Sequence, residues 1–108
     1  MKNYLSFQVL RALENSPKQS QRTLSEQCNV SLGSIHYCLN ALIKKGYVKA
    51  QNFKNSNNKL AYAYLLTPSG LKLKKELTIT FLRRKQADYE LLQEEIKMLE
   101  EDFARQMW

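Results

Sequence analysis

Residues Leu24 to Gly46, LSEQCNVSLGSIHYCLNALIKKG, constrain the fold of this chain more than any other stretch. Leu24, Cys28, Val30, Ile35, Cys38, Leu39 and Leu42 are spaced to share one small core if two short helices meet at a tight turn. Ser25 is small where the two helices must approach closely. Asn29 stands at the turn, where a left-handed backbone is needed and Asn is second only to Gly. Ser31 is placed to cap the second helix and Gly46 to end it. The pattern is that of a helix-turn-helix, a device that puts its second helix into a DNA major groove.

The flanking sequence extends this motif. A helix is expected from about Lys2 to Asn15, with Leu5, Val9, Leu10 and Leu13 inward. Ser16-Pro17-Lys18 breaks it, and Ser20 caps the next helix, which ends near Cys28. The second helix of the motif runs from about Leu32 to Lys45. After Gly46 the period changes. Tyr47 to Lys54 and Lys59 to Leu66 are rich in aromatic and aliphatic residues and flank the turn cluster Asn55-Ser56-Asn57-Asn58, which predicts a two-stranded hairpin. Thr67 then caps a last helix with Pro68 in its first turn. No Gly or Pro follows Gly70, so this helix is expected to reach nearly to the C-terminus, roughly 40 residues or ~60 Å. The expected fold is mainly α with a two-stranded β-wing. Residues 1–70 form a winged helix-turn-helix DNA-binding domain and residues 71–108 a long C-terminal dimerisation helix.

The last helix carries a seam. Leu82, Tyr89, Ile96 and Phe103 recur every seven residues, and Leu92 and Leu99 fall three after Tyr89 and Ile96. Lys85 and Gln106 interrupt the inner positions. A seam this far from the small core needs a partner, and a second copy of the chain is the simplest one.

Charge divides the chain in the same way. Residues 1–85 hold 15 basic and 3 acidic side chains, and residues 86–108 hold 2 and 7. A basic body with an acidic tail predicts an anionic partner for the body and another task for the tail. No apolar run approaches the roughly 20 residues of a membrane span, so no membrane partner is expected. Cys28 and Cys38 lack metal-ligand spacing and there is one histidine, which predicts no metal site and no cofactor. Both cysteines stand where the motif wants an apolar residue, so they are read as buried structural thiols of a cytoplasmic protein. One histidine, no Gly-rich phosphate loop and no convergent carboxylates provide no catalytic residues, and an enzyme is not expected.

With Ile35, Cys38, Leu39 and Leu42 inward, the other face of the second motif helix shows Ser31, Leu32, Gly33, Ser34, His36, Tyr37, Asn40 and Lys44. Gly33 permits close backbone approach. Ser31 and Ser34 can donate to phosphates at the helix N-terminus. His36, Tyr37 and Asn40 can reach base edges, Asn pairing well with adenine, and Leu32 can meet a thymine methyl group. At the hairpin tip, Lys54, Asn55, Asn57, Asn58 and Lys59 suit phosphate or minor-groove contacts.

The helix S-L-G-S-I-H-Y-C-L-N-A-L-I-K-K-G and the hairpin ending L-A-Y-A-Y-L-L-T-P-S-G resemble those of MarR-type regulators. The segment from Asn55 to Pro68 resembles most a compact branch, the EPS-associated MarR-like transcriptional regulators. The resemblance covers about residues 5–100. It implies a homodimeric regulator of double-stranded DNA, encoded near genes for exopolysaccharide or other surface polysaccharide synthesis. Ordinary MarR proteins are longer and often hold a phenolic ligand between their dimerisation and DNA-binding parts. A chain of this length lacks that arrangement, so no small-molecule effector is expected. Two other readings of the residues stay open. One is a winged-helix adaptor that recruits a protein through its coiled coil; the other is a binder of structured RNA.

Overall fold

The computed structural model describes residues 2–54 and 60–107. The elements follow in the order α1 (Lys2–Asn15), α2 (Gln21–Cys28), α3 (Leu32–Lys44), β1 (Val48–Lys54), β2 (Leu60–Leu66) and α4 (Pro68–Gln106). The chain divides into two compact units, Met1–Leu77 and Thr78–Trp108.

The first unit is built on three helices and a hairpin. Val9, Leu10 and Leu13 of α1 meet Leu24 and Cys28 of α2, Ile35, Cys38, Leu39 and Leu42 of α3, Val48 of β1 and Tyr64 of β2. Leu5, Val30, Leu73 and Leu77 pack around this cluster, half-buried. The expected core residues are therefore all in place, with Val30 at its margin.

Local chemistry sets the ends of the two central helices. Ser20 accepts from the Thr23 N–H at 3.0 Å and starts α2. Asn29 has φ 55°, in the left-handed region. This lets its N–H reach Glu26 O at 3.3 Å while Val30 N–H reaches Ser25 O at 3.1 Å. Gly46 repeats the device at the end of α3. Its φ is 83°. Gly46 N–H meets Ile43 O at 3.0 Å and Tyr47 N–H meets Leu42 O at 2.9 Å. The turn between α2 and α3 thus begins in a single Asn, and the reversal into the hairpin begins in a single Gly.

The hairpin is antiparallel, with Val48 opposite Leu66 and Lys54 opposite Leu60. Tyr47 was expected to begin the first strand. Its backbone is instead used at a junction: Thr67 N–H donates to Tyr47 O at 3.1 Å, and Thr67 Oγ1 donates to Gly46 O at 2.6 Å. The same Thr67 hydroxyl accepts from Gly70 N–H at 3.1 Å and caps α4. The far side of the hairpin is tied down too. Tyr64 N–H donates to Pro17 O at 3.0 Å, and Lys18 stands over the Phe53 ring at 4.8 Å. Gln19, 8 % exposed, closes α1 by donating its amide nitrogen to Ala12 O and Ser16 O at 2.8 and 2.9 Å. An ion pair of 2.8 Å joins Glu14 of α1 to Lys74 at the start of α4. Being partly exposed, it contributes at most about 1 kcal/mol.

In the second unit α4 continues as an uninterrupted helix to Gln106. Arg84 lies over Phe81 at 5.3 Å, Gln93 donates to Tyr89 Oη at 3.0 Å, and Asp102 pairs with Arg105. No helix among the described residues is long and apolar enough to cross a membrane.

Two glycines on helices make a test of this architecture. A Cβ at Gly70 would lie 2.0 Å from Tyr47 O, which is backbone and has nowhere to go. Gly70→Ala is expected to lower stability by about 3 kcal/mol. A Cβ at Gly33 would meet nothing closer than Ser31 Oγ at 3.9 Å. Gly33→Ala is expected to raise stability by about 0.5–1 kcal/mol. Urea midpoints of the two variants measure both.

Candidate nucleic-acid interface

The exposed face of α3 is the part of the molecule the core leaves over. Ile35, Cys38, Leu39 and Leu42 are buried, and each of Ser31, Leu32, Gly33, Ser34, His36, Tyr37, Asn40 and Lys44 is exposed. Tyr37 is 76 % and Leu32 48 % exposed. Ser31 caps α3, its Oγ accepting from Ser34 N–H at 3.1 Å. The two hydroxyls lie 2.9 Å apart, so one hydroxyl proton serves the pair and the other is left to a ligand at the helix N-terminus.

His36 and Asn40 do not stand alone on this face. His36 Nδ1 lies 3.3 Å from Gln21 Oε1, and Asn40 Nδ2 lies 3.0 Å from His36 Nε2. Gln21 also donates to Tyr64 Oη at 3.3 Å. Gln21 is a functional candidate that sequence patterning gives no reason to choose. It is the first residue of α2, and only the fold brings it to α3 and β2. Lys18, Gln21, Phe53, Tyr62 and Tyr64 together line an open cleft of about 420 Å³ beside the hairpin. Tyr62 is 54 % exposed and stacks on Tyr64, ring centroids 6.3 Å apart. At the hairpin tip, Asn55, Asn57, Asn58, Lys59 and the side chain of Lys54 lie outside the described residues.

The thiols of Cys28 and Cys38 are buried and free. Burial pushes both up in pKa; Cys38 adds to this at Cys28, while a hydrogen bond with Ser6 opposes it at Cys38. Both therefore stay protonated at neutral pH, as core residues rather than nucleophiles. In the second unit, the six seam residues Leu82, Tyr89, Leu92, Ile96, Leu99 and Phe103 are between 46 and 67 % exposed.

Residues 2–49 match the family model described as winged helix-turn-helix DNA-binding. The domain is a winged helix-turn-helix. Over 74 residues the chain is 34 % identical to the HTH-type transcriptional regulator SarZ of Staphylococcus haemolyticus, a match over 68 % of this chain and 49 % of that protein. The chain thus spans about half the length of the curated relative it matches. Among solved structures, the chain is similar to the PcaV transcriptional regulator from Streptomyces coelicolor. The TM-score is 0.63 at 23 % identity, over 76 % of this chain and 57 % of that one. It is also similar to a MarR transcriptional regulator from Methanosarcina mazei, with TM-score 0.65 at 21 % identity over 80 % and 60 % of the two chains. The fold shared with these proteins is the winged helix-turn-helix, and its second motif helix is α3.

The cysteines give a stability test. Cys28→Ser places a hydroxyl in the core and is expected to lower stability by roughly 1–3 kcal/mol, with Cys28→Ala milder. Raised thiol pKa values mean that the folded state disfavours the thiolate. Their contribution is complete below the ordinary thiol range and is lost as pH climbs through and above it. The Cys28→Ala, Cys38→Ala double variant should therefore lose less stability than the parent over that rise in pH, read by denaturant titration.

Proposed function

We propose that this chain is a sequence-specific, double-stranded DNA-binding transcriptional regulator that works as a homodimer on a near-palindromic site. The observation that carries the reading is the composition of the exposed face of α3. Eight residues suited to phosphates and base edges share it, while every apolar residue the core needs points the other way. Ser31, Ser34 and Lys44 engage phosphates; Tyr37 and Asn40 read base edges, with His36 beside Asn40 on the same face; Leu32 meets a methyl group; Gly33 lets the backbone approach. The wing, through Lys54, Asn55, Asn57, Asn58 and Lys59, holds the flanking backbone. In this reading the DNA-binding domain covers residues 1–70 and the dimerisation helix residues 71–108.

Asn40→Ala and Tyr37→Ala are each expected to cost on the order of 1–3 kcal/mol at a site selected from random duplexes, with little change in binding to unrelated DNA. Retention of full affinity at that site by both variants would remove α3 from the role of reader.

The exposed seam supports the dimer. Six large apolar side chains at heptad spacing remain about half exposed or more in one copy, and a second copy would bury them. Two linked copies would reach half-sites about one turn, ~34–36 Å, apart. Ile96→Asp with Leu99→Asp should yield monomers by light scattering, with sharply weaker binding to the full site and an unchanged helical signature for the winged helix. A parent protein that is monomeric at micromolar concentration and on DNA would exclude this assembly.

The target genes in this reading are those of surface or exopolysaccharide synthesis, supported by the resemblance of the segment from Asn55 to Pro68. The reading requires no small-molecule effector, although PcaV has been solved with its natural ligand.

A further inference from the structure

We propose that Gln21 determines specificity from outside the recognition helix: through the ring of His36 it fixes which end of the Asn40 amide donates on the exposed face of α3. The proposal rests on the DNA-reading role of that face given above.

Three links carry it. Gln21 Nε2 is 3.3 Å from Tyr64 Oη, Gln21 Oε1 is 3.3 Å from His36 Nδ1, and His36 Nε2 is 3.0 Å from Asn40 Nδ2. A neutral imidazole has one N–H donor and one acceptor nitrogen. Two orders therefore satisfy all three links. In the first, Gln21 donates to Tyr64, His36 Nδ1–H donates to Gln21 Oε1, and Asn40 Nδ2–H donates to His36 Nε2. In the second, every link is reversed: Tyr64 Oη–H donates to Gln21 Oε1, Gln21 Nε2–H to Nδ1, and Nε2–H to Asn40 Oδ1. The structure assigns the first order.

The two orders differ in what Asn40 offers. In the first, one N–H is held by His36, and Oδ1 and the second N–H remain. In the second the amide is turned over, and donor and acceptor exchange places. Asn recognises adenine by pairing one donor and one acceptor with the base edge. An amide pinned in one sense therefore matches an adenine edge presented in one direction only.

The anchor of the chain is the buried end. Tyr64 is 7 % exposed, its N–H is tied to Pro17 O at 3.0 Å, and its ring stacks on Tyr62. Gln21 is half-buried between this strand and α3. The wing strand thus reaches the reading face through two side chains. These bonds are weak while His36 and Asn40 face water and strengthen when a bound duplex excludes it.

His36 is the single histidine of the chain, so its ring nitrogens can be read directly in long-range proton–nitrogen spectra. In the free protein in alkaline buffer, the parent is expected to carry its ring proton on Nδ1. Gln21→Leu should move it to Nε2 or to a mixture. Gln21→Glu, whose carboxylate only accepts, should keep it on Nδ1. In selections from random duplexes, Asn40→Ala identifies the position that Asn40 reads. Gln21→Leu should lose roughly threefold to tenfold of the base discrimination there, part of what a bidentate pair supplies, and keep the parent's affinity for unrelated DNA. A parent ring protonated on Nε2, or an Nδ1 proton that persists in Gln21→Leu, overturns the proposal. So does unchanged discrimination in Gln21→Leu. A parent that selects no sequence at all overturns the reading of α3 and the specificity claim with it. The ring spectra of the free protein separate that failure from a failure of Gln21 to set the tautomer.

Discussion

The contact between Gly70 and the backbone of Tyr47 is the constraint on which the first unit depends. Its tolerance is set by the absence of a single carbon atom, since a Cβ would lie 2.0 Å from a carbonyl oxygen. That approach lets Thr67 do three things at once. It donates to Gly46 O, donates through its backbone to Tyr47 O, and caps α4 by accepting from Gly70. The end of α3, the root of the hairpin and the start of α4 are therefore one hydrogen-bonded junction. α3 cannot shift along its axis without breaking it.

Around that junction, α3 is held by residues outside its exposed face, and Gln21 alone of those discussed reaches onto the face, at His36. The core sets the rotation of the helix, because Ile35, Leu39 and Leu42 are almost wholly buried. Asn29 sets its angle to α2, and Gly46 sets where it stops. What remains is the exposed face, where Ser31 caps the helix and Gln21, His36 and Asn40 are hydrogen-bonded in a row. This separation lets side chains on the face vary while the scaffold stays the same.

The elements were legible in the sequence where local chemistry decides them. Ser20, Asn29, Ser31 and Gly46 act within a few residues of themselves, as does Thr67 in capping α4, and each stands where its residue type predicts. The heptad spacing from Leu82 to Phe103 was equally plain, because a helix carries its own period. What the sequence concealed is long-range. Nothing near Gly70 in the chain announces Tyr47. Nothing near Gln19 shows that its amide closes α1. Gln21 reads as an ordinary first-turn residue until the fold places Tyr64 and His36 beside it. Pattern reading located the face; only packing shows which side chains on it are held by others.

The two buried thiols give the molecule a built-in clock. Cys28 ends α2 and Cys38 lies within α3, so the pair straddles the turn that defines the motif. A thiol that is shielded and protonated in the native state reacts only when its surroundings open. The rate at which each becomes accessible to a reagent therefore measures the free energy of separating α2 and α3 from the core, helix by helix. Binding that is confined to the native arrangement would slow both rates together, whereas fraying of one helix would quicken one alone.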